Sequence, residues 1–179
     1  MKQPRRRSNQ MTKSRIVSSS HLVSEQAAEL SEYEYGLMVS WHAFQRWVSR
    51  CMAAAGYGDL ASLDILVLHS VNHRNRAKRL ADICFTLNVE DTHTVTYALK
   101  KLLKADLVTA EKRGKEVFYT TSDQGRDACQ KYREVREACL VDAFQGLGGV
   151  DSQEITDTAR TLRALSGLYD QAARSATSL

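Results

Sequence analysis

Residues 76–120 read RAKRLADICFTLNVEDTHTVTYALKKLLKADLVTAEKRGKEVFYT and predict two short helices followed by a β-hairpin. In the first helix, Ala77, Leu80, Ala81 and Cys84 have the i, i+3, i+4, i+7 spacing of one apolar helical face. The four residues LNVE at 87–90 form the turn that follows. The first half of this segment therefore predicts a helix–turn–helix.

The second helix is predicted to begin after Asp91, because an aspartate side chain is a favourable N-cap. Val95, Leu99, Leu102 and Leu103 form its apolar stripe. The opposite side is polar and carries His93, Tyr97, Lys100 and Lys104, flanked by Thr94, Thr96 and Lys101. One side of this helix is thus suited to a core, and the other offers hydrogen-bond donors, a ring and cations.

Two β-rich runs at 107–111 and 116–120 flank the basic turn Lys112-Arg113-Gly114-Lys115, which is a hairpin pattern. A helix–turn–helix followed by a basic hairpin is the layout of a winged-helix DNA-binding domain. A lysine-rich helix face alone is usually only solvated. The order of the elements, rather than any single residue, therefore favours binding to double-stranded DNA.

The composition indicates a folded intracellular protein with one domain, or one domain with appended helices. The 179 residues are 43% hydrophobic and carry a net charge of +4, while residues 1–20 contain six Lys/Arg and no acid. Four widely spaced cysteines without a C-x-x-C pair favour a reducing cytoplasm. The basic start lacks an apolar segment typical of a signal peptide, and no run approaches the ~20 apolar residues of a membrane span.

We interpret residues 1–30 as a flexible basic N-terminal arm. Such an arm either lies along phosphates or in a minor groove, or is a solvated tail without a fixed role. Residues 31–58 are predicted to form a dimerisation helix opened by the capping box Ser31-x-x-Glu34. Its aromatic residues, with one from the following turn, suit a partner-subunit face, a small-molecule pocket or simply a thick core: Trp41, Phe44, Trp47 and Tyr57.

Residues 59–121 form the predicted winged helix-turn-helix domain, beginning with a helix at 59–73. His69 and His73 in that helix stand four apart, a spacing that suits a metal pair, but no further ligand pattern accompanies them. An exposed helix end is the simpler interpretation, and we predict no metal site and no cofactor.

Residues 122–179 are predicted to form two C-terminal dimerisation helices, capped by Thr121-x-x-Gln124 and by Asp151. The last helix has apolar residues near a heptad spacing, including Ile155, Leu162 and Tyr169. Burial against a second copy would cover these helices, although an internal bundle in a monomer also fits. The fold class is therefore mainly α with a small β-hairpin wing, a winged helix-turn-helix flanked by N- and C-terminal dimerisation helices.

These residues resemble the MarR family (multiple antibiotic resistance regulators) over about residues 59–125. The similarity rests on Leu80-Ala81, Thr94-Val95-Thr96, Leu99, Leu102, Leu107-Val108 and the basic wing. Asp106 replaces the glycine that usually precedes Leu-Val, and aspartate tolerates the left-handed backbone a turn there needs. The turn before the second helix is one residue longer, the wing lacks the family's Asp-x-Arg-Asp-x-Arg pattern, and the basic arm is longer than is typical.

The resemblance implies a homodimeric transcriptional regulator, often a repressor, which is frequently released from DNA by a small ligand or by thiol oxidation. It also makes Arg113 the best candidate for a minor-groove arginine. The sequence contains no G-x-G-x-x-G, P-loop, G-x-S-x-G or metal-protease motif, so we do not expect an enzyme. The rival interpretations are a winged-helix module for protein contacts and a non-specific architectural DNA-binding protein.

The predicted DNA-binding residues fall into three groups by chemistry. Side chains from the first two turns of the second helix are expected to contact bases, and the arginine at the wing tip is expected to enter a narrow minor groove. The remaining cations are expected to bind phosphates. The full set is Arg76, Lys78, His93, Thr94, Thr96, Tyr97, Lys100, Lys101, Lys112, Arg113 and Lys115.

Overall fold

The computed structural model describes residues 27–146 and 151–179, which form helices and one small antiparallel sheet. The predicted arm lies almost entirely outside these residues. The chain divides after Cys129 into two compact units, and each is considered separately. Within the described stretches, no helix is both long and apolar enough to cross a membrane.

The first unit begins with helix α1 (Ala28–Ala54) and helix α2 (Ser62–Asn72), followed by a short 3₁₀ turn (His73–Asn75). The prediction that Ser31 caps α1 is wrong, because the helix starts at Ala28 and Ser31 lies buried within its first turn. The start of α2 is capped by Asp64, whose Oδ2 accepts the backbone N–H of Ala61 at 2.8 Å.

The helix–turn–helix consists of α3 (Leu80–Leu87) and α4 (Thr92–Lys104). The prediction for α4 is confirmed, since Asp91 is its N-cap and Val95, Leu99 and Leu102 are buried. The predicted apolar face of α3 is partly wrong. Ala77 precedes the helix and Ala81 is exposed, so the buried residues are Ile83 and Cys84.

A third strand, β1 (Lys78–Arg79), lies where the sequence predicted the start of α3. It pairs with β3 (Glu116–Thr121), which also pairs with β2 (Val108–Arg113) to give the strand order β1-β3-β2. The predicted hairpin is therefore confirmed but belongs to a three-stranded sheet. Asp106 has the expected left-handed backbone, with φ of 56°.

The core of this unit lies between α2, α3, α4 and the sheet. Its fully buried large side chains come from the end of α1, from the three helices and from the residue that precedes β2, and include Met52, Ile65, Leu68, Ile83, Leu99, Leu102 and Leu107. The polar face of α4 is thus carried on a helix fixed by apolar packing along its other side.

The second unit contains the end of helix α5 (Asp123–Arg136), a π-helical turn (Glu137–Val141), helix α6 (Asp142–Gly146) and helix α7 (Ser152–Ala176). Asp151 caps α7 as predicted, with its Oδ1 3.1 Å from the backbone nitrogen of Gln153. Thr121 does not cap α5. Ser122 does so, since its Oγ accepts the N–H of Gly125 at 2.9 Å.

Candidate nucleic-acid interface

The first two turns of α4 expose the residues predicted to contact bases. His93, Thr94 and Tyr97 are exposed, Tyr97 to 72%, while Thr96 is half-buried at the edge of the packed face. The N-cap fixes the start of the helix, because Asp91 Oδ1 accepts the backbone N–H of His93 at 2.9 Å. The structure therefore brings these side chains together on one accessible surface.

Both threonine hydroxyls are already engaged as donors to the helix backbone. Thr94 Oγ1 donates to the Asp91 carbonyl and Thr96 Oγ1 to the Thr92 carbonyl, each at 2.8 Å. Their methyl groups and remaining lone pairs stay available. Contact with a thymine methyl, or acceptance from an amino group of a base, therefore suits these residues better than donation.

The predicted phosphate-binding cations separate into exposed and engaged groups. Arg76, Lys100, Lys112 and Lys115 are exposed. Lys101 is half-buried, with its Nζ 2.8 Å from Asp64 Oδ2 and 2.6 Å from the Asp59 carbonyl oxygen. Its ammonium is thus directed to α2 in this structure.

The structure contradicts the assignment of Lys78 to a phosphate. This residue is only 4% exposed, and its Nζ donates to the carbonyls of Val71 at 2.9 Å, His73 at 2.5 Å and Arg76 at 3.4 Å. Burial lowers the pKa of this ammonium, but three carbonyl acceptors compensate its desolvation. Lys78 therefore holds the end of α2 and the following loop together.

The wing tip turns at Gly114, which has φ of 63°. Behind the turn, Arg113 Nη2 donates to Glu111 Oε2 at 2.6 Å, and its guanidinium carbon lies 5.0 Å from the centroid of the Phe118 ring. The hydrogen bond from Arg113 lowers the pKa of the Glu111 carboxyl below its usual range. The predicted minor-groove arginine is therefore held against the wing by Glu111 and Phe118.

An ion-pair cluster that the sequence did not predict connects the wing to α3. Arg79 donates from Nη1 to Glu116 Oε1 and from Nη2 to Asp82 Oδ1, both at 3.0 Å. These side-chain bonds raise the pKa of Arg79, and the same hydrogen bonding lowers the pKa of Asp82. The i, i+3 spacing of Arg79 and Asp82 was visible in the sequence, but the contact with Glu116 required knowledge of the three-stranded sheet.

The aromatic residues of the predicted ligand pocket differ in their exposure. Trp41 and Phe44 pack with ring centroids 6.2 Å apart and remain exposed, whereas Trp47 and Tyr57 are half-buried. His69 and His73 belong to no cluster of three or more His, Cys, Asp or Glu side chains in the described part of the chain. The structure thus shows one aromatic pair on the α1 surface.

The cysteines occupy different environments. Cys51, Cys84 and Cys129 are buried, and Cys139 is exposed on the π-helical turn. Burial raises the pKa of the Cys84 thiol, and raises that of Cys129 to about 11. Cys84 and Cys129 therefore remain protonated at neutral pH, which makes them slow to react with oxidants.

Comparison with known proteins supports the same type of domain. Residues 60–125 match the family model for a winged helix DNA-binding domain. No curated protein matches the sequence significantly.

Several solved structures share the fold across most of the chain. AbfR of Staphylococcus epidermidis is 18% identical with a TM-score of 0.66, covering 83% of this chain and 96% of that chain. A mutant MarR from E. coli complexed with operator DNA is 15% identical, with a TM-score of 0.61 and coverages of 79% and 99%. BpsR of Bordetella bronchiseptica is 22% identical, with a TM-score of 0.54 and coverages of 73% and 92%. The resemblance to MarR-family regulators is therefore confirmed at the level of the fold.

Proposed function

We propose that this protein is a transcriptional regulator that binds double-stranded DNA as a homodimer and represses from a palindromic operator in the cytoplasm. The observation that carries the proposal is the exposed surface of α4, on which His93, Thr94, Tyr97 and Lys100 stand on a helix with a buried opposite face. Lys112 and Lys115 add positive charge at the wing. Exposed base-reading groups with flanking cations are the combination that DNA recognition requires.

The apolar stripe of α1 supports the homodimer. Towards the end of the helix this stripe is buried, and Val48 is only 1% exposed. The same stripe continues towards the helix start with Trp41 at 47% exposure and Phe44 at 45%. A face that is core at one end and uncovered at the other supports the proposal of a covering second copy, because large contiguous apolar patches are rare on monomers.

Helix α7 independently supports self-association. None of its described residues is buried, although Ile155, Leu162 and Leu168 are large apolar residues. A two-fold dimer would present two copies of α4 to successive major-groove faces roughly 34–36 Å apart. This geometry is the reason for proposing a palindromic operator.

A small-molecule effector is part of the proposal. The DNA binding of BpsR, which shares the fold, is regulated by 6-hydroxynicotinic acid. In this chain, Trp47 and Tyr57 are half-buried and lie outside the exposed pair assigned to the dimer, and their rings offer flat apolar surfaces of the kind that bind planar ligands.

Replacing Lys100 by Ala tests the DNA-binding face. We expect weaker binding to all duplexes and a salt dependence reduced by about one unit in the slope of log K against log salt, because one phosphate contact is lost. Fluorescence anisotropy at several salt concentrations measures both quantities. Arg133→Ala removes an exposed cation outside the winged helix and should leave the slope unchanged. Equal slopes for wild type and Lys100→Ala would contradict the assigned contact.

Selection from random duplexes distinguishes the proposal from its two rivals. A regulator should enrich a palindromic site, whereas an architectural protein would bind without enrichment. A module for protein contacts would show no salt-dependent binding at all.

Replacing Glu111 by Gln tests the role of Arg113. The change removes the Glu111 carboxylate, which holds the guanidinium of Arg113. The same carboxylate would also repel DNA phosphates. We expect DNA affinity to rise about two- to fivefold, a modest change because both side chains are exposed. When Arg113→Ala is combined with Glu111→Gln, the gain should shrink, because only the relief of phosphate repulsion remains. An undiminished gain would show that Arg113 has no part in it. An unchanged or lower affinity of Glu111→Gln would contradict the assignment of Arg113 to DNA.

A further inference from the structure

Lys101 makes a contact that sets it apart from the other cations of α4. Its Nζ lies 2.8 Å from Asp64 Oδ2 and 2.6 Å from the carbonyl oxygen of Asp59. The acceptor carboxylate is deeply buried, with a side-chain exposure of 6%. Two of the three ammonium donors are therefore committed to the start of α2.

Asp64 is itself fixed in place. The oxygen that accepts from Lys101 also accepts the backbone N–H of Ala61 at 2.8 Å and thereby caps α2. A buried carboxylate needs a cationic partner, because a lone charge there would be strongly destabilising. Withdrawal of Lys101 towards a phosphate would leave Asp64 without that partner.

The remaining side of α4 offers mainly apolar packing. Val95, Leu99 and Leu102 are fully buried and hold this side of α4 against the core, but the hydrophobic effect itself has no preferred direction. A charge-assisted hydrogen bond is directional. The bond between Lys101 and Asp64 therefore adds a directional constraint on how far α4 is rotated on α2, and so on where His93, Thr94 and Tyr97 point.

We propose that Lys101 is a positioning residue, which sets the orientation of the base-reading face through Asp64 and does not contact DNA itself. The role rests on the proposed DNA-binding function. It replaces the assignment of Lys101 to a phosphate that the sequence suggested.

The test measures binding of the full chain to a site selected from random duplexes and to the unselected pool, at several salt concentrations. Lys101→Met keeps the aliphatic stem and removes the charge, while Asp64→Asn keeps an acceptor for the Ala61 N–H. Both variants should reduce the preference for the selected site roughly tenfold, the scale of one lost base contact. The salt slope on the pool should remain that of wild type.

Lys100→Ala is the matched control, because Lys100 is the neighbouring lysine and is exposed. It should lower the slope by about one unit on both DNAs and leave the preference nearly unchanged. Circular dichroism establishes that each variant is folded. The double variant Asp64→Asn with Lys101→Met provides an uncharged pair if Lys101→Met does not fold, and it should show the same reduced preference.

The two assignments of Lys101 predict opposite effects of Asp64→Asn. If Lys101 contacts a phosphate, Asp64→Asn frees it and binding to both DNAs tightens, while Lys101→Met lowers the salt slope as Lys100→Ala does. That outcome would overturn the positioning role and leave the proposed function intact. A wild-type protein that binds neither DNA, or selects no site, would overturn sequence-specific binding and this role with it.

Discussion

Replacing both Trp41 and Phe44 by Glu is expected to convert the protein to a monomer and to reduce its affinity for a two-site duplex about 100-fold or more, because the advantage of bivalent binding is lost. Each side chain is almost half exposed, on a stripe that is buried further along the same helix. Introducing two carboxylates there would prevent this surface from being covered by a second copy. Sedimentation equilibrium measures the mass, and anisotropy measures binding to duplexes with one or two half-sites.

Val39→Glu is the matched control for this prediction. Val39 is 47% exposed on the same helix, but its spacing from Trp41 and Phe44 places it on the opposite side. The control should remain dimeric and bind as wild type does. A dimeric double variant would locate the interface elsewhere, and a wild-type protein that is already monomeric would overturn the dimer.

The sequence predicted best where a regular period and a local side-chain bond act together. Asp91 caps α4, and the spacing of Val95, Leu99 and Leu102 identified its buried face. Asp106 has the left-handed backbone that its sequence position predicted, because aspartate is one of the few residue types that tolerate this conformation in a turn. In each case, the information lies within a few neighbouring residues.

The contacts of long cations could not be predicted in this way. Lys78 donates to carbonyls at the end of α2 and in the loop that follows it, and Lys101 reaches the carbonyl of Asp59, 42 residues away in the sequence. A two-residue strand such as β1 is also too short for alternation to be visible. These features depend on tertiary positions rather than on local pattern.

Gly125→Ala is expected to destabilise the fold by about 3 kcal/mol, since overpacking of a tight site forces backbone movement. A Cβ at this position would overlap the carbonyl oxygen of Leu107 and lie 2.7 Å from Cγ2 of Thr121. That oxygen cannot move freely, because it accepts the backbone N–H of Ser122 at 3.1 Å and thus joins the start of the wing to α5. No sequence pattern predicts this contact, because a glycine near the start of a helix indicates only a lower helix propensity.

Thermal unfolding measures the effect, which corresponds to a fall in Tm of about 6–12 °C for a chain of this size. Gly36→Ala is the control, because Gly36 lies within α1 and an added Cβ there would meet no atom within 4 Å. It should stabilise the protein by about 0.5–1 kcal/mol through the higher helix propensity of alanine. If Gly125→Ala unfolds at the wild-type temperature, α5 can separate from Leu107 without loss of stability. The close approach would then have no part in holding the wing in place, and the orientation of Arg113 would depend on the sheet alone.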